Sequence, residues 1–171
     1  MTRKRKTEAL VLIIHNVRSA HNVGALFRTA DGTGVAQVFL TGYTLAPSRE
    51  GAFFLTAAEK ALQKTALGAE KSVSWKKSAS LRNTLAALRK EKFAVVALEQ
   101  CERSIDYRKY ASKSSVALIV GNEIRGVDAK ILKQCDAIIE IPMHGKKNSL
   151  NVSVAGGIAL YQIKGTMEKR G

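Results

Sequence analysis

Three segments of this 171-residue chain gather residue types that bind phosphate, ribose or a polar cofactor. The first, NVRSAHNVGALFRTADGTGV (residues 16–35), carries Asn22 and Arg28 on a run that is otherwise small or apolar, with Ala25, Leu26, Phe27 and Ala30. Asn22 is a candidate N-cap. Arg28 either snorkels at a helix rim or points at a phosphate or ribose beside Asn22. The second, ALIVGNEIRGV (residues 117–127), ends an apolar run in Gly121, Asn122 and Glu123 and closes on Arg125 and Gly126. Glycine there lets backbone lie close to a ligand; the plain alternative is a simple turn with Glu123 solvated or paired to Arg125. The third, IPMHGKKNSLNVSVAGGIALYQ (residues 141–162), passes through Lys146 and Lys147 into a helix starting near Ser149 or Asn151. Orphan amides at such a start suit an oxygen-bearing ligand, and the lysines suit phosphate. Gly156 and Gly157 each cost about 1 kcal/mol relative to alanine in a helix, so close packing is the expected reason for them.

The elements that must position these residues are legible as apolar runs alternating with helical patterns. Strands are expected at 9–17, 36–43, 93–100, 115–123 and 137–142, rich in Val, Ile and Leu. Helices are expected at 22–33, 53–67, 78–90, 127–134 and 150–167. Continuous apolar strands belong to a sheet covered on both faces, so the expected architecture is a three-layer α/β domain with a mostly parallel sheet. Ligands bind such sheets beyond the carboxyl ends of the strands, where all three segments begin. Residues 101–114 have no clear periodicity, and no repeat or linker is visible. A basic tail over 1–8 and a single domain over 9–171 are expected.

Charge narrows the function. Lys plus Arg number 28 against 14 Asp plus Glu, a net +14 with a pI near 10.0. Such an excess points to a polyanionic partner, the plain alternative being a solvated lysine-rich surface, and nucleic acid fits better than a membrane because no basic amphipathic helix is present. Basic pairs recur at residues 76–77, 89–90, 108–109, 146–147 and 169–170, after a TRKRK cluster at 2–6. No apolar run approaches the roughly 20 residues that span a bilayer. Cys101 and Cys135 lack metal-ligand spacing and suit a reducing, cytoplasmic compartment. His15, His21 and His144 are far apart, so no metal site is expected. GxGxxG, P-loop and GxSxG signatures are absent.

In order along the chain, N-x-G-x-x-x-R-T-A (Asn22, Gly24, Arg28, Thr29, Ala30), G-x-E-x-x-G (Gly121, Glu123, Gly126) and I-P-M-x-G-x-x-x-S-L-N-V-S-V-A (residues 141–155) form a set. The set resembles the motifs of the SpoU/TrmH-type RNA 2′-O-ribose methyltransferases of the SPOUT superfamily, over about residues 9–165. The resemblance implies a sheet whose C-terminal segment threads a loop to form a deep trefoil knot. It implies S-adenosylmethionine held bent, largely by backbone, around Leu98, Gly121, Asn122, Ile141, Met143 and Leu150. It implies a homodimer with the site near the interface. Arg28 would act on the ribose 2′-hydroxyl, while Asn22, Glu123, Ser149 and Asn151 position it and the substrate. Arg18, His21, Arg28, Lys146 and Lys147 would meet the RNA, tRNA or rRNA. Relatives with a separate RNA-binding domain or long terminal helices grip RNA by those; here the residue 2–6 cluster and the loop lysines are expected to grip it instead.

Methyl transfer requires the 2′-hydroxyl to lose its proton as the sulfonium methyl is attacked. A guanidinium holds its own proton to above about pH 12. Two roles for Arg28 are therefore open. RNA phosphate, sulfonium charge and burial make a neutral arginine briefly accessible, or Arg28 holds the adjacent phosphate and stabilises developing alkoxide. Two other functions compete with ribose methylation: a non-catalytic RNA-binding or assembly factor that keeps the fold, and RNA base methylation.

Overall fold

The computed structural model describes residues 8–48, 51–112 and 114–169. The basic cluster at 2–6 and Arg170 lie outside the described residues. Along the chain run β1 (Leu10–His15), α1 (Ala20–Gly32), β2 (Gln37–Thr41), α2 (Ala57–Ala66), α3 (Ala69–Ser72), β3 (Trp75–Ser78) and α4 (Leu81–Lys90). Then follow β4 (Ala94–Leu98), β5 (Ile105–Asp106), a 3-10 turn (Tyr107–Lys109), β6 (Val116–Val120), α5 (Ala129–Leu132), β7 (Ala137–Glu140) and α6 (Val152–Glu168).

The strands form one sheet in the order β3-β2-β1-β6-β4-β7-β5, and every ladder between them is parallel. The alternation of side chains divides each central strand between two cores. Leu10, Leu12 and Ile14 of β1 with Val116, Leu118 and Val120 of β6 pack against α1, α2 and α6. Val11, Ile13, Ala117 and Ile119 face the opposite side, against Leu81, Leu85 and Leu88 of α4. The expected three layers are present, and the central strands β1, β6 and β4 are apolar except at His15, the last residue of β1, because both faces are covered.

The five expected strands and five expected helices are present, mostly with shorter ends, although α1 begins two residues earlier, at Ala20, and α6 runs one residue further, to Glu168. The helix expected over 53–67 begins only at Ala57, because Thr56 and Glu59 form a reciprocal capping box. That over 78–90 begins at Leu81 behind the Ser80 cap, since Ser78 still belongs to a strand. Two strands were not legible. β3 is the edge sequence WKKS, with Lys76 exposed and Lys77 bonded to the loop after β2, and exists as a strand through pairing with β2. β5, only two residues long, sits within the aperiodic 101–114 stretch. β6 inserts between β1 and β4, and β7 between β4 and β5, so later strands fill places between strands already laid.

Glycines mark where α1 is crossed. A Cβ on Gly24 would fall 2.1 Å from Thr65 Oγ1 and 2.3 Å from the Leu62 carbonyl of α2. A Cβ on Gly156 would fall 2.7 Å from Leu26 Cδ2, whereas one on Gly157 would meet Thr29 Cγ2 at an ordinary 3.6 Å. The first glycine of the pair is thus explained within this chain, by the α1–α6 crossing. Gly157→Ala is expected to hold or raise the melting temperature, by up to about 1 kcal/mol of helix propensity. Gly156→Leu and Gly24→Ala are expected to destabilise by about 1–3 kcal/mol or more, read by thermal and urea unfolding of all three variants.

Candidate active site at the carboxyl ends of the strands

A cleft of about 430 Å3 opens where β4, β6 and β7 end. Its wall comes from three places: Leu98, Glu99 and Gln100 at the end of β4, residues 121–124 and 126 after β6, and Ile141, Met143 and residues 148–151 ahead of α6. All six residues expected at the cofactor, Leu98, Gly121, Asn122, Ile141, Met143 and Leu150, line it. Glu123, Ser149 and Asn151 line it too, while Asn22 and Arg28 do not. The wall carries three carboxylates, Glu99, Glu123 and Glu140, and no lysine or arginine among the described residues. In a chain of net +14, that is a local reversal of sign.

At the mouth of the cleft one hydrogen-bonded network joins all three motif segments. Glu123 accepts from the backbone amides of Arg18 and Ser19, each at 3.0 Å, and from Asn22 Nδ2 at 3.0 Å. Asn22 Oδ1 in turn accepts from Asn151 Nδ2 at 3.1 Å, and Asn151 Oδ1 accepts from the Ser153 amide at 2.8 Å. A carboxylate can only accept, so it fixes the direction of every amide behind it. Burial pushes the Glu123 carboxyl up, but the amides of Arg18, Ser19 and Glu123 itself and the Asn22 side chain outweigh it, leaving it below the usual range.

This geometry corrects one expectation and decides between the alternatives at two other positions. Asn22 is not the N-cap of α1. Ser19 is, accepting from the Asn22 amide at 3.3 Å, which leaves the Asn22 side chain free to bridge Glu123 and Asn151. Asn151 rather than Ser149 caps α6, so it caps and bridges at once, while Ser149 lies in the loop before it. Glu123 is neither solvated alone nor paired with Arg125; its hydrogen bonds go to the start of α1.

The loop after β6 is built to hold its shape. Asn122, only 8% exposed, accepts from the Ile124 and Arg125 amides and donates to the Asn16 carbonyl. Glu99 accepts from the Val127 amide at 2.7 Å. A Cβ on Gly126, at φ +64°, would lie 1.9 Å from Glu99 Oε2, and one on Gly121 would lie 2.6 Å from the Gly126 carbonyl. Nothing local marks the role of Glu99, an acid at the end of an apolar strand, because its partner is 28 residues away.

Of the residues expected to meet RNA, His21, Arg28, Lys146 and Lys147 are exposed, and Arg18 borders a second cleft rather than this one. Arg28 makes no hydrogen bond or ion pair among the described residues. Among those residues, no group of three or more His, Cys, Asp or Glu side chains is placed to hold a metal ion.

The sequence profile of the SpoU rRNA Methylase family matches residues 9–161. The chain belongs to that family. It is 35% identical over 156 residues to the 23S rRNA (guanosine-2′-O-)-methyltransferase RlmB of Acinetobacter baylyi, covering 91% of this chain and 59% of that protein. Its fold superposes on the TrmH/SpoU tRNA modifying enzyme of A. aeolicus with a TM-score of 0.80 at 31% identity, over 98% of this chain and 79% of that one. An AdoMet-bound rRNA methyltransferase from Sinorhizobium meliloti gives 0.80 at 25% identity, over 92% of this chain and 56% of that one. The chain spans little more than half the length of the curated relatives it matches, 57% to 59%.

The Glu123 network in this SpoU-family chain has a pH signature. Its lowered pKa means that its stabilising contribution is complete above the ordinary glutamate value of about 4.3 and is lost as pH falls through the lower folded value. Glu123→Gln is therefore expected to melt below the parent at neutral pH. The gap should close as pH drops below about 4.3, as measured by melting temperature against pH for both proteins.

Proposed function

We propose that this chain is an S-adenosylmethionine-dependent RNA 2′-O-ribose methyltransferase acting on tRNA or rRNA. The observation that carries the reading is the Glu123–Asn22–Asn151 network, which joins the three motif segments at the mouth of an acidic cleft. Family membership and the AdoMet-bound neighbour support the same conclusion.

The cleft suits the cofactor. Its volume of about 430 Å3 is in the range of small-molecule sites, and Leu98, Ile141, Met143, Leu150 and Val152 offer apolar walls to an adenine ring. Glu99, Glu123 and Glu140 favour a ligand with positive charge and repel RNA phosphate. When bound, S-adenosylmethionine supplies an electrophilic methyl group on a positively charged sulfur. Ser149 lines the cleft and its hydroxyl has no protein partner among the described residues, so it is available to a ribose hydroxyl. Asn22 and Asn151 hold each other's amides in fixed orientation, and Lys146 and Lys147 on the same loop meet phosphate.

Arg28 is placed by the dimer. Six residues of helix separate it from Asn22, about 9 Å of rise and about 600° of turn, so the two side chains leave α1 about 120° apart. On the neighbouring α6, Val154 and Tyr161 are 52% and 59% exposed with Ile158 between them, an apolar stripe beside Gly32 of α1. A second copy docked on this stripe covers it and receives Arg28 at its own cleft. The late insertion of β6 and β7, followed by α6 packing on α1, β4, β6 and the 3-10 turn, supports a C-terminal trefoil knot. Among the described residues, no helix is long and apolar enough to cross a membrane, which fits a cytoplasmic enzyme.

With labelled S-adenosylmethionine and total RNA, the label is expected in an alkali-resistant dinucleotide after nuclease digestion. Label on a base would support base methylation, and no transfer would support the non-catalytic binder. Arg28→Ala is expected to abolish transfer and Arg28→Lys to impair it, with the pH profile of the lysine variant separating proton removal from charge stabilisation. Dimers mixed from Arg28→Ala and Ser149→Ala chains are expected to regain activity that neither parent variant has. Mixtures as inactive as their components would place Arg28 in its own chain's site.

A further inference from the structure

A second cleft, of about 700 Å3, adjoins the first and shares Asn122 and Ile124 with it. It lies at the ends of β1, β2 and β6, and its charge has the opposite sign: among the described residues Arg18 and Arg125 line it, and no carboxylate does. Tyr43, 58% exposed, is part of its lining.

An exposed tyrosine ordinarily turns freely, but this one is held from several directions. Its hydroxyl accepts from Asn122 Nδ2 at 2.8 Å, and its amide donates to Asn16 Oδ1 at 3.2 Å. Lys77 Nζ donates to the carbonyls on either side, Gly42 at 2.7 Å and Thr44 at 2.5 Å. Thr44 Oγ1 donates to the Ile14 carbonyl and accepts from the Val17 amide, pinning the loop to β1. Gly42 sits at φ +63°, where a Cβ would fall 1.8 Å from Asn16 Oδ1, so no residue with a side chain fits this turn. Lys77 is thus spent on bracing a loop, not on the surface charge its place beside Lys76 suggested. The result is a solvent-facing aromatic plate in fixed orientation, with Leu45 and Ile124 beside it and a guanidinium-bearing residue from each flanking loop.

We propose that this second cleft binds an unpaired RNA nucleotide neighbouring the one that is methylated, its base stacked on Tyr43 and its phosphates held by Arg18 and Arg125. A ring face in a concave site can stack only on a base that has left a helix, and guanidinium groups supply the matching charge. Because the two clefts meet at Asn122, the residue that orients Tyr43 also shapes the loop bearing Glu123. Docking of the neighbouring base and placement of the target ribose are thereby joined. This inference rests on the RNA reading above.

The test is RNA binding by fluorescence anisotropy, with the full chain saturated in S-adenosylmethionine. The probes are a short mixed-sequence single-stranded RNA and an abasic oligomer of the same length and charge. Tyr43→Ala is expected to weaken RNA binding about 5- to 150-fold, the range one stacked base supplies, with binding of the abasic oligomer unchanged. Tyr43→Trp and Tyr43→Phe keep a ring and are expected to keep most of the affinity. Arg125→Gln is expected to weaken both probes and to lower the slope of log affinity against log salt by about 0.7. Parental RNA affinity in Tyr43→Ala, or equal losses on both probes, would overturn the proposal, as would a Tyr43→Trp variant no better than Tyr43→Ala. Methyl transfer is not read, so base-dependent binding without transfer would leave this site standing while removing the enzymatic reading.

Discussion

The site depends on one carboxylate. Glu123 leaves the end of β6 and accepts hydrogen bonds from the first amides of the α1 segment and from the Asn22 side chain. β6 and β1 are adjacent and parallel, so their ends meet at the same edge of the sheet, where β1's continuation into α1 must pass. The amides entering α1 lack intrahelical partners, and an acceptor-only side chain satisfies them while favouring the helix N-terminus electrostatically. Once α1 is anchored there, Asn22 is fixed; once Asn22 is fixed, Asn151 and the start of α6 are fixed with it. The whole cleft mouth is thus oriented from a charge that cannot donate.

Around that anchor the charges are segregated by ligand. The cleft over β4, β6 and β7 is lined by three acids in a chain of net +14, whereas the neighbouring cleft over β1 and β2 carries Arg18 and Arg125. The two clefts are opposite in sign although they meet at a shared wall. That wall is Asn122 and Ile124, and the side chain of Asn122 is committed to holding its own loop and Tyr43.

Close packing sets the helices against the sheet at the same level of detail. α1 is crossed by α2 at Gly24 and by α6 at Gly156, and in each case a methyl group would overlap a neighbour. The helix propensity lost at these glycines is offset by approach distances that no other residue permits. The equivalence of Gly156 and Gly157 in the sequence is only apparent, since the second has room for a Cβ.

The sequence by itself determined the layered parallel sheet, the α1 and α6 helices and the three segments that build the cleft over β4, β6 and β7, because apolar periodicity and short motifs are local signals. It also carried Gly121 and Gly126, which are needed for backbone approach within one loop. Only the tertiary structure decided which polar groups answer each other. The N-cap passed from Asn22 to Ser19, Lys77 turned from surface charge to loop brace, Glu99 became the partner of a distant amide, and Tyr43 became a fixed plate. The edge strands β3 and β5 likewise exist through their neighbours rather than through their own composition. A hydrogen bond is satisfied by whatever the fold brings within about 3 Å, and a linear sequence holds no record of that distance.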